Sequence, residues 1–212
     1  MSDKNVLRQH SARSLVSLYT VIIGVSLTFG IAGLIDPKAG LSSISVSAIK
    51  LFLAYLATLF PFYHGALRHL DDAYFENPIS VDKRGILIVD FCLLFLHALG
   101  FVVLSVLLKL PIDFAHVLLT ILTIDVIWGF ITYFGSEGKK SFNATLKWAL
   151  LNFFAVGLGT CYLAVNGILF AAGKVPTGMH VVILVFALFR TVLDYIICGS
   201  FYFPREPEPA KD

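Results

Sequence analysis

The sequence predicts an all-α polytopic integral membrane protein, a six-transmembrane-helix bundle with both termini cytoplasmic. Four observations carry that fold class. Of 212 residues, 58% are apolar or aromatic and 14% are charged, where soluble domains carry about 25% charged residues. The mean hydropathy of +0.84 leaves lipid as the solvent for most side chains. Six apolar runs are long enough to cross about 30 Å of hydrocarbon at about 1.5 Å per residue. Lysine and arginine, finally, collect on one side of those runs.

The first span, near 14–35, follows a polar segment, Met1 to Arg13, and is too long for a signal-peptide core with no small-residue cleavage site after it. Ser14, Ser17, Gly24, Ser26, Gly30 and Gly33 give it small residues that permit close helix packing, and the connector with Asp36, Pro37, Lys38 and Gly40 ends it. The second span, near 45–65, runs into a polar stretch from Gly65 to Arg84 that reads as a helical extension plus a loop. Spans three and four, near 85–108 and 112–135, form a hairpin at Leu110-Pro111 with Asp113. Gly135 to Lys140 precedes the fifth, near 146–171, and Gly173 to Gly178 with Pro176 precedes the sixth, near 178–202. Residues 1–203 thus read as one transmembrane domain. The tail, 204–212, spaces prolines among charges and cannot bury apolar area.

Orientation follows from the basic residues. Eleven (Lys4, Arg8, Arg13, Arg68, Lys83, Arg84, Lys139, Lys140, Lys147, Arg205 and Lys211) fall on one side and four (Lys38, Lys50, Lys109 and Lys174) on the other. Cytoplasmic flanks retain such residues, which places both ends inside, in the cell's inner or plasma membrane. By that orientation the sequon Asn143-Ala-Thr145 is a chance match on the wrong side for glycosylation. The net charge of +2 and the lack of a basic cluster interleaved with aromatics exclude nucleic acid as a partner. Cys92, Cys161 and Cys198 lie in apolar runs and are odd in number, which argues against disulfides and thiolate metal sites.

Ionisable side chains within the spans carry the functional signal, because each costs at least about 2.5 kcal/mol in hydrocarbon unless paired or hydrated. They are Asp90 and His97 on span three, Asp125 on span four, and Arg190 and Asp194 on span six. A spacing of seven puts Asp90 and His97 on one helical face, about 10 Å apart, and a spacing of four does the same for Arg190 and Asp194. His97, Asp125 and Arg190 fall at about 15 to 18 Å from the inner helix ends, near the bilayer centre, with Asp90 and Asp194 at about 8 to 12 Å. The hairpin makes His97 and Asp125 natural partners, and Arg190 closes the group. Three carboxylates against one arginine and one histidine favour a proton or cation as visitor. The alternative is a buried ion-pair network that fixes helix register and moves nothing. Tyr19, Thr20, Asn152 and Tyr195 stand at matching depths as supporting polar groups, or as interhelical hydrogen-bonding residues.

At the inner interface His64, His69, Asp71 and Asp72 form a second candidate set. His64 and His69 point about 140° apart on a continuous helix, which fails as a metal pair, and one acidic pair is weak support for a magnesium site. No phosphate loop, nucleophile elbow or zinc helix occurs, haem would need histidines at matched depth, and no cofactor is expected. The leading expectation is therefore a small channel or transport protein acting as a homo-oligomer in the lipid bilayer, with a proton- or cation-responsive charge network. A membrane-embedded enzyme on lipid headgroups, or an effector or anchor for a cytoplasmic protein partner, are the other two readings, and transport is favoured over catalysis.

Overall fold

The computed structural model describes residues 3–35, 45–76, 84–134, 142–170 and 173–204. The connectors with Asp36 to Gly40, Asp82 and Lys83, and Gly135 to Lys140, and the tail after Pro204, lie outside the described residues. Within them the chain is helical: α1 (Asp3–Leu34), α2 (Val46–Leu70), α3 (Arg84–Val106), α4 (Pro111–Phe134), α5 (Phe142–Val165), α6 (Met179–Ile197) and a single turn, α7 (Gly199–Tyr202). Six of these are long and apolar enough to cross a membrane, which marks a multi-pass membrane protein. Bulky apolar side chains such as Phe29, Phe60, Phe154, Phe189 and Ile196 face outward, as a lipid solvent requires.

Local chemistry explains where each helix stops. Leu107 and Leu110 make tight backbone bonds to Leu104 and Leu107, and Pro111 opens α4, where its missing N–H costs nothing. The fifth helix ends at Val165, six residues short of the expected 171. Gly167 takes φ +67° there. Its N–H donates to Ala164 O at 3.0 Å while Ile168 N–H donates to Leu163 O at 3.0 Å, the double bond pattern of a glycine-terminated helix. Ile168 and Leu163, both buried, supply the apolar contact that goes with it.

The second helix differs more. It holds Pro61 mid-span, and after Leu70 it continues as a π-helical turn, Asp71–Glu76. Pro61 has no N–H to give the carbonyl four residues back, that of Ala57. Thr191 of α6 donates its hydroxyl to that same carbonyl. In lipid a freed carbonyl has no water to turn to, so the α2–α6 contact repairs the break that the proline makes.

The most extensive packing joins α4 to α5, α1 to α3 and α2 to α6, with α3 against α4 linking the pairs. Gly129 permits the first of these: a Cβ there would stand 2.7 Å from Ala149 Cβ. Arg13 lies over the Phe75 ring at 5.7 Å and Arg68 Nε donates to Phe201 O at 3.1 Å. These contacts gather the start of α1, the ends of α2 and α6, and α7 at one end of the bundle. That end is called the termini end below, and the α3–α4 turn marks the hairpin end.

A buried charge cluster as candidate functional site

Three helices bring their ionisable groups to one place that extends from mid-helix toward the termini end. Asp125 (α4), Asn152 (α5) and Asp194 (α6) have no exposed surface, and His97 (α3) and Arg190 (α6) are 3% exposed. Asn152 is the bridge. Its Nδ2 donates to Asp125 Oδ2, and its Oδ1 accepts from Arg190 Nε at 2.9 Å. An amide can face a carboxylate and a guanidinium at once because it carries both a donor and an acceptor. Arg190 Nη2 then sits 3.4 Å from Asp194 Oδ2, one helical turn on.

Asp194 is held from two further sides. Tyr202, carried back by α7, approaches both carboxylate oxygens at 3.1 Å, and Trp148 Nε1 donates to Oδ2 at 3.3 Å. Phe62 of α2 forms the floor: its ring lies 4.9 Å from the Arg190 guanidinium carbon and 5.5 Å from the His97 ring. A cation over an aromatic face in a desolvated site is worth about 2 kcal/mol.

His97 closes the cluster from α3. One ring nitrogen engages the backbone of Ile121, and the other, Nε2, faces Asp125 Oδ1 at 3.8 Å. Both of these facing atoms lack a hydrogen-bond partner, as do Nη1 and Nη2 of Arg190 and Nε1 of Trp128. If the Ile121 side takes the imidazole's one N–H, Nε2 presents a lone pair to a carboxylate oxygen. Two acceptors face each other stably only with a proton on one of them. Charge counting gives the same number. Arg190 balances one of the two carboxylates, so one proton held by His97 and Asp125 makes the cluster neutral, and an uncompensated buried charge costs several kcal/mol.

Asp90 belongs to a different group. Its carboxylate accepts from the Tyr74 hydroxyl at 2.8 Å and lies 3.2 Å from His69 Nε2. It ties the π-helical turn to α3 rather than joining His97. The four interface candidates do not converge. His64 sits among the rings of Tyr195, Tyr202 and Phe203, His69 is on Asp90, Asp71 is exposed, and Asp72 is half-buried. No group of three metal-ligating side chains occurs among the described residues.

Of the supporting residues, Asn152 is central. Tyr19 is buried within electrostatic reach of Asp125 and stacks on Tyr63, whose hydroxyl shares a hydrogen bond with Thr20 at 3.1 Å. Tyr195 packs on Tyr202 and makes no bond to the carboxylates. No family model, curated protein or solved structure matches the chain. Its function is therefore read from its own residues.

Four residues of the site went unnoticed in the sequence: Phe62, Tyr74, Trp148 and Tyr202. Trp148 carried a usable signal, since it stands one helical turn before Asn152 and so shares its face. Tyr202 lies beyond a break at Cys198, just before Gly199, that carries it back onto Asp194 as the single turn α7.

Beside this cluster a cleft of about 20 Å³ opens between Trp128, Trp148, His69 and Tyr202, room for about one water. Toward the hairpin end the interior is apolar, filled by Phe101, Leu104, Leu118, Leu122 and Leu163. Among the described residues, the charged and amide groups thus continue from the cluster toward the termini end, while the buried polar groups on the other side include the Ser26–Tyr55 hydroxyl pair and Ser105.

Proposed function

We propose that this protein is a membrane transport protein gated by one proton, held between His97 and Asp125 and exchanged with the cytoplasmic side. The observation that carries this reading is the unpartnered pair of His97 Nε2 and Asp125 Oδ1, 3.8 Å apart in the interior. Groups that only fix register would close such a gap with a hydrogen bond. A proton suits the site better than a metal cation, since the Arg190 guanidinium belongs to the same cluster and repels a fixed positive charge.

The basic asymmetry of the loops supports a cytoplasmic termini end, which would make that side the source of the proton. The apolar plug toward the hairpin end then corresponds to a state closed to the other side. Alternation between the two states would follow the alternating-access pattern of secondary transporters. The polar groups come together inside one copy, so the reading does not require a pore shared between subunits.

Reconstituted liposomes with an imposed pH gradient and an entrapped pH dye test the proposal. Wild-type vesicles should dissipate the gradient faster than empty ones, and Asp125→Asn and His97→Ala should both abolish the difference. Proton movement as fast in Asp125→Asn as in wild type would reject the reading and leave the cluster a structural tie.

A further inference from the structure

A second cavity lies in the opposite half of the molecule. It measures about 190 Å³ and is walled by Ala115 and Leu119 of α4, Leu158 and Tyr162 of α5, and Val182 and Phe186 of α6. It exists because α6 packs mainly on α2 and only sparsely on α4 and α5. Counted at about 1.5 Å per residue, its walls run from about 4 to 12 Å inside the helix ends.

From this geometry we propose that the cavity holds one acyl chain of a membrane phospholipid, inserted sideways between α5 and α6. Depth, size and chemistry select that occupant. The cavity opens between two membrane-crossing helices at hydrocarbon depth, where the surrounding medium is acyl chain. The walls are aliphatic and aromatic apart from the Tyr162 hydroxyl, which gives a charged or strongly polar ligand nothing to bind. An apolar cavity of about 150 Å³ accepts a benzene-sized molecule, so this one takes a run of several methylenes. A protein side chain from a neighbour would have to pass Leu158 and Val182, which are themselves exposed toward lipid.

The inference does not depend on the proton reading, since no residue of the charge cluster lines this space. Vesicles of phosphatidylcholine carrying a photoactivatable diazirine in the headgroup-proximal part of one acyl chain provide the test, with labelled residues mapped by mass spectrometry. Leu119 and Tyr162 are recessed, whereas Phe154 and Leu188 are 65% and 47% exposed. Bulk lipid contact alone would label the exposed pair more. An inserted chain should label the recessed pair in several-fold excess, and Val182→Trp, which fills the cavity from its exposed rim, should remove that excess. Labelling that merely follows exposure in the wild type would overturn the proposal whether or not the variant folds, and so would an excess that persists in a folded Val182→Trp protein.

Discussion

Asn152 decides how the buried charges are shared out, because among the described residues its side chain is the one that hydrogen-bonds both Asp125 and Arg190. Replacing it with leucine strands a carboxylate oxygen and a guanidinium N–H away from water. Breaking such a network costs about 3–5 kcal/mol, and thermal unfolding in detergent should show Asn152→Leu among the least stable variants. Asp125→Asn should be far milder, within about 1 kcal/mol of wild type. Its amide can still accept from Asn152 while its NH₂ donates to His97 Nε2, and Arg190 with Asp194 remains neutral. Arg190→Gln should fall with Asn152→Leu, since it leaves two carboxylates with no fixed positive charge. The same bonds give an optical signal. Both tryptophans of the chain stand at the termini end, and only Trp148 donates to Asp194. Emission should therefore change in Asp194→Asn with little change in helical content; identical spectra would argue against that bond. The five charged positions were legible in the sequence because hydrocarbon makes every ionisable group conspicuous. Their partition was not. Asp90 and His97 share a helical face, yet Asp90 turns to His69 and Tyr74, a choice made by the π-helical turn after α2 that no periodicity announces.

Among the elements, α2 and α6 depend on one another through a proline. Thr191→Val keeps the shape of the side chain but removes the donor to the Ala57 carbonyl, and a buried unpaired carbonyl costs about 1–3 kcal/mol. Pro61→Ala restores an N–H for that carbonyl within α2. The double variant should therefore be more stable than Thr191→Val alone, a coupling readable from a double-mutant cycle; simple additivity would sink the account. Between α4 and α5, Gly129→Val should separate the helices and cost more than about 1 kcal/mol, because its first added carbon already meets Ala149 at 2.7 Å. The six long helices themselves were readable from apolar runs and from the punctuation between them. What misled was the end of the fifth, where Ile168, Leu169 and Phe170 prolong the hydrophobic run past a helix already closed by Gly167. Apolar content marks what lipid tolerates, whereas the stop is set by backbone conformation.

Across the whole molecule, polarity is divided by depth. The buried aspartate, histidine, arginine and asparagine side chains lie between mid-helix and the termini end, largely apolar packing fills the hairpin half, and a lateral cavity sits on the apolar side. The order of the partners along the chain matters as well. A multi-pass protein is made from its N-terminus, so the hairpin of α3 and α4 is complete while Arg190 has yet to be synthesised. His97 faces Asp125 across that hairpin, so on the six-span reading the fourth helix would enter a bilayer with a local companion for its acid. The sixth helix likewise carries its own counter-charge, four residues from Arg190. Each ionisable segment is thus provisioned for insertion before the final cluster exists. During translation, His97→Leu should impair membrane integration of nascent chains that stop before α6, whereas Arg190→Leu should matter only once the last helix has emerged.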